Sequence, residues 1–93
     1  VGIIMTNIVG EGVIDVMTMI DRMSCGPARA FGLSGGTLSE GAAADVTVID
    51  PRLQWTVDPS AFQSRSQNTP FAGWELTGAP HRTIVGGRTV WAR

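Results

Sequence analysis

The stretch Gly26-Pro27-Ala28-Arg29-Ala30-Phe31-Gly32-Leu33-Ser34-Gly35-Gly36 decides how the chain divides. Proline suits the first turn of a helix, where its missing amide hydrogen would have no partner anyway. Glycine suits the position just past a helix end. The stretch therefore predicts a short helix that closes at Gly32. Upstream of it the periodicity is helical. Ile4 and Ile8 share one face, as do Met5 and Val9, and Gly10-Glu11-Gly12 breaks the run. Asp15 is placed to cap a further helix, because its carboxylate can accept the free amide hydrogens of the next turn. Val16, Met19, Ile20 and Met23 follow at i, i+3, i+4 and i+7, which predicts one buried stripe.

Downstream the signals change to strands and turns. Thr37-Leu38 precedes a turn at Glu40-Gly41. Ala44 to Ile49 alternates, with Val46 and Val48 on one face, and Asp50-Pro51 is expected to end that strand. Trp55 and Val57 share a face of another short strand. Asp58-Pro59 reads as the cap and first turn of a brief helix reaching Phe62. Ser64 to Gly73 is polar and reads as a loop. Thr83 to Val85 and Arg88 to Trp91 flank Gly86-Gly87, a two-residue hairpin loop in which glycine accepts positive φ. These strands predict a small antiparallel sheet. Three Trp and three Phe are a large aromatic content for it. Two readings stay open: the aromatics form its core, or Phe71 and Trp74 cover a neighbouring domain.

Composition bounds the function. At 93 residues the chain has room for one small domain with a modest core. The seven basic residues are all Arg, against eight acidic ones, for a net charge of -1. That balance gives no pull towards nucleic acid or an anionic membrane. Cys25 is the single cysteine, so no internal disulfide exists and the chain reads as cytoplasmic. No apolar run approaches the ~20 residues of a membrane span. The chain begins at Val1, and its first Met, Met5, sits inside an apolar run, so it is expected to be a piece of something longer.

No complete catalytic constellation is present. Gly32-Leu33-Ser34-Gly35-Gly36 matches G-x-S-x-G, but a nucleophile elbow needs a strand before it and a helix after it. The predicted order here is the reverse, and a turn leaving a helix accounts for the glycines. His81 is the only histidine, and a zinc site takes three or four ligands at defined spacing. His81 after Pro80 reads as a surface or turn residue at the start of a strand. Cys25, with no base near it in sequence, reads as a small buried side chain. Asp45, Asp50 and Asp58 stand where strand ends and caps favour aspartate. Gly10-Glu11-Gly12 lacks the third glycine and preceding strand of a dinucleotide loop. Asn68-Thr69-Pro70 has proline where a glycosylation acceptor has Ser or Thr.

The segment from Gly26 to Leu33, followed by Gly36-Thr37-Leu38-Ser39-Glu40-Gly41-Ala42-Ala43-Ala44-Asp45, resembles the C-terminal region of the amidohydrolase superfamily. The later run is more discriminating. Asp50-Pro51, Trp55-Thr56-Val57-Asp58, Phe62 to Gly78 and Thr83 to Val90 resemble the tail of dihydroorotases related to the multifunctional pyrimidine enzymes. Within Phe62 to Gly78, Asn68-Thr69-Pro70-Phe71 is the most telling part. The likeness runs from about Val9 to Val90. One departure is Gly26, where that family usually has Asn, and Gly too is tolerated at a helix cap.

The resemblance implies a (β/α)₈ barrel with a binuclear zinc site bridged by a carboxylated lysine. It also implies the interconversion of N-carbamoyl-L-aspartate and dihydroorotate in de novo pyrimidine biosynthesis. In that family the metal ligands and the catalytic aspartate come from barrel strands, and no counterpart of those motifs occurs here. No catalytic, cofactor-binding or metal-ligating residue is therefore assigned to this chain, and zinc is expected only in the parent protein. A barrel needs about 250 residues, more than this chain has. The resulting fold expectation is an α+β fragment: residues 1–33 as the last helices of a barrel, residues 34–93 as part of a small antiparallel β-sandwich. The expected partners are its own upstream barrel domain and further copies of the same protein. Three alternatives remain. The first is a segment of another cyclic amidohydrolase, a hydantoinase or allantoinase. The second is part of a non-catalytic homologue serving as a scaffold for aspartate transcarbamoylase. The third is an independent binding module.

Overall fold

Asp15 sets the helical half. In the computed structural model, which describes all 93 residues, its backbone is extended and its carboxylate accepts the Thr18 amide hydrogen at 2.7 Å. This caps α2, residues 16–31. It follows α1, residues 2–9. Each helix changes pitch partway. In α1 the turn at Gly2–Ile4 runs on into Met5–Val9, where bonds reach back five residues. In α2 the segments Val16–Ile20, Asp21–Cys25 and Gly26–Phe31 form one uninterrupted right-handed helix.

Pro27 therefore lies inside a helix and does not begin one, contrary to the sequence expectation. A regular helix would need the Pro27 amide hydrogen to reach Met23, and proline has none. The widened turn at Asp21–Cys25 absorbs the defect: the Gly26 amide donates to the Asp21 carbonyl, five residues back. The predicted closure at Gly32 is observed. Its φ is 64°, and Leu33 donates its amide hydrogen to the Ala28 carbonyl at 2.9 Å, satisfying a terminal acceptor.

The predicted stripe is buried at one position only. Met19 is 1% exposed, but Val16, Ile20 and Met23 are 36, 37 and 51% exposed. The reason is geometric. α2 lies against α1, and no strand packs across its other side.

The sheet has three antiparallel strands in the order β1-β2-β3: Val46–Thr56, Glu75–Val85 and Arg88–Ala92. Two predicted short strands have fused. Asp50-Pro51 does not end β1. Asp50 pairs with Ala79 and Gln54 with Thr77, so Pro51, Arg52 and Leu53 bulge out opposite Gly78 alone. A bulge removes the ladder hydrogen bond that proline could not make. The Asp50 carboxylate then accepts the Arg52 amide hydrogen at 2.9 Å, closing the bulge. Thr37-Leu38 forms no strand. The hairpin is as expected, with Gly86 and Gly87 at φ 55° and 80°. Its turn is fastened to the start of β1: Gly86 donates to Asp45 Oδ1 at 2.8 Å and Gly87 to the Ala44 carbonyl at 2.9 Å. Asp58 caps the short helical turn Pro59–Ala61, accepting from the Ser60 amide at 2.9 Å and the Ser60 hydroxyl at 2.7 Å.

One joint holds α1 to the sheet. Met5, Leu76, Ala79, Gly2 and Gly78 are buried there. Gly2 comes so close that a Cβ would lie 2.7 Å from the Trp55 ring. The Trp55 indole N–H donates to the Gly78 carbonyl at 3.1 Å. Thr6 extends the ladder from the helix: its hydroxyl donates to the Thr77 carbonyl at 3.1 Å and accepts the Thr77 amide hydrogen at 2.8 Å. No aromatic side chain is fully buried, and Trp55 is half-buried against Gly2 in this joint. Phe71 and Trp74 pack edge to face on each other at 5.1 Å, with Trp74 45% exposed, so the aromatic-core reading is corrected. No helix is long and apolar enough to cross a membrane.

Candidate functional site

Cys25 and the aspartates Asp15, Asp21, Asp45, Asp50 and Asp58 each spend their side chains on structural contacts. The G-x-S-x-G match lies on the exit from α2. Gly32 is the left-handed terminal residue, and no strand precedes Ser34. The expected strand after it is also missing, since β1 begins only at Val46. Gly36 folds back onto the helix, where a Cβ would meet the Ser24 carbonyl oxygen at 3.0 Å and Cys25 Cα at 3.1 Å. That approach lets the half-buried Cys25 thiol donate to the Gly36 carbonyl at 3.1 Å. The thiol pins a loop to a helix.

His81 is exposed in the middle of β2, not at a strand start. It is the extra residue of a bulge, between Pro80, which pairs with Ile49, and Arg82, which pairs with Val48. Its carbonyl accepts the Arg93 amide hydrogen at 2.9 Å.

The carboxylates are dispersed. Asp15 and Asp58 cap helical turns, and Asp45 and Asp50 hold backbone amides at the hairpin and the bulge. Asp21 pairs with Arg29 at 2.9 Å on the exposed face of α2. The Thr18 backbone and side-chain hydrogen bonds hold the Asp15 carboxyl below the usual carboxylate range. The Ser60 hydroxyl and amide do the same for Asp58. The Asp21 carboxylate raises the already basic Arg29 guanidinium. All three shifts are the ordinary electrostatics of caps and an exposed ion pair. Nowhere do three or more His, Cys, Asp or Glu side chains come together to hold a metal ion. Every buried side-chain nitrogen and oxygen has a partner, so none is left aimed at a missing ligand. The residues present do not fit a zinc centre.

An open cleft of about 480 Å³ lies beside the end of β3, lined by Gln63, Pro80, Thr83, Val90, Trp91 and Arg93. The Arg93 guanidinium sits over the Trp55 ring at 5.2 Å and the Trp91 ring at 5.7 Å, and its Nε donates to the Pro80 carbonyl at 3.3 Å. That stack joins the end of β3 to β1 across the sheet. The lining has no carboxylate, imidazole or thiol, so it offers neither acid–base nor metal chemistry. Sequence reasoning singled out neither Arg93 nor Thr6. Neither lies in a recognisable motif, and their partners are distant along the chain.

The chain is placed by its likeness to larger proteins. The model of the amidohydrolase family matches residues 3–90, and the chain belongs to that family. It is 49% identical over 87 residues to the dihydroorotase of Geobacter metallireducens, covering 94% of this chain and 20% of that protein. Over 88 residues it is 47% identical to a dihydroorotase of Bacillus cereus, covering 95% and 21%. The chain thus spans about a fifth of the length of the curated relatives it matches. Among solved structures it superposes on the L-hydantoinase (dihydropyrimidinase) of Arthrobacter aurescens with a TM-score of 0.89 and 34% identity, over 99% of this chain and 21% of that one. The dihydropyrimidinase of Brevibacillus agri matches with a TM-score of 0.89 and 26% identity, over 98% and 20%.

Proposed function

We propose that this chain is the C-terminal structural segment of a zinc-dependent dihydroorotase, a cytoplasmic enzyme that interconverts N-carbamoyl-L-aspartate and dihydroorotate in de novo pyrimidine biosynthesis. The observation that carries the reading is the identity to dihydroorotases, 49% over 87 residues, against 34% to the L-hydantoinase. In this reading residues 1–33 are the last helices of a (β/α)₈ barrel and residues 34–93 part of a small β-sandwich. The rest of the barrel supplies the zinc ligands and the acid–base residue, and the segment alone is inactive. The exposed Val16, Ile20 and Met23 on α2 support this, since a helix on the outside of a barrel buries such a face against the strands. The whole enzyme is proposed to be a homo-oligomer.

The superposition on hydantoinases favours a second reading, a segment of another cyclic amidohydrolase. The test is a substrate comparison with the purified whole protein that carries this segment. Dihydroorotate ring opening and its reversal, with hydantoins left intact, are the expected result. Hydrolysis of hydantoin or allantoin without action on dihydroorotate refutes the assignment.

A further inference from the structure

No further inference is drawn: the strongest candidate, the exposed apolar stripe that Val16, Ile20, Met23 and Phe31 form along α2, carries nothing beyond the reading above, because nothing in the structure shows what covers it.

Discussion

Replacing Gly78 with Ala tests the joint between α1 and the sheet. Gly78 sits at φ 93°, and a Cβ there would lie 2.9 Å from Met5 Cβ and 3.0 Å from Met5 Cγ. Two costs follow. Holding a non-glycine residue at that φ costs on the order of 1–3 kcal/mol. Overpacking a filled contact costs about 1–3 kcal/mol more. Met5 Cβ is fixed by the helix backbone and cannot swing aside as a side-chain tip could. The sum, roughly 2–6 kcal/mol, is a large share of the ~5–15 kcal/mol typical of a small protein. Gly73 is the matched control. Its φ is 81°, but a Cβ there meets nothing within 4 Å, so Gly73→Ala carries the strain alone. Urea unfolding followed by tryptophan fluorescence reads both variants, because the Trp55 indole bonds to the Gly78 carbonyl. Gly78→Ala should lower the midpoint clearly more than Gly73→Ala. Equal shifts for the two would refute the close approach of α1 to β2.

Three further perturbations have expected outcomes. Thr6→Val keeps the shape but loses both hydrogen bonds to Thr77, which should cost about 1–3 kcal/mol by urea unfolding at the ~0.5–1.5 kcal/mol of a typical bond. Asp15 has a depressed folded-state pKa, so its cap contributes stability above the unfolded carboxylate pKa and loses it as pH falls through the folded value. Asp15→Asn, a comparable cap without a titrating group, should therefore flatten part of the acid limb of the stability–pH curve while leaving neutral-pH stability nearly unchanged. Met19→Ala should cost about 2–5 kcal/mol in the 93-residue chain, because the side chain is 1% exposed. Met23→Ala, 51% exposed, should change that chain by less than about 0.5 kcal/mol and destabilise the whole protein more, as a comparison of melting temperatures would show.

Local chemistry made much of the fold legible. The Asp15 and Asp58 caps, the Gly32 closure and the Gly86-Gly87 hairpin each depend on a few adjacent residues, and each forms as read. What misled were signals whose outcome depends on distant partners. Pro27 and Pro51 read as boundaries, but a widened helical turn absorbs one and a strand bulge opposite Gly78 absorbs the other. The α2 stripe read as buried because periodicity reports which face is apolar, not whether anything lies against it. For the candidate site, the count of one His and one Cys set the expectation that metal ligands lie outside these residues. Where Asp45 and Cys25 spend their hydrogen bonds, on Gly86 and Gly36, could be read only from the folded chain.

The most direct measurement is dihydroorotate turnover by the 93-residue chain and by the whole protein that carries it, assayed side by side with zinc supplied. The whole protein should turn over dihydroorotate and the chain alone should not. Turnover by the chain alone, or none by the zinc-loaded whole protein, would contradict it.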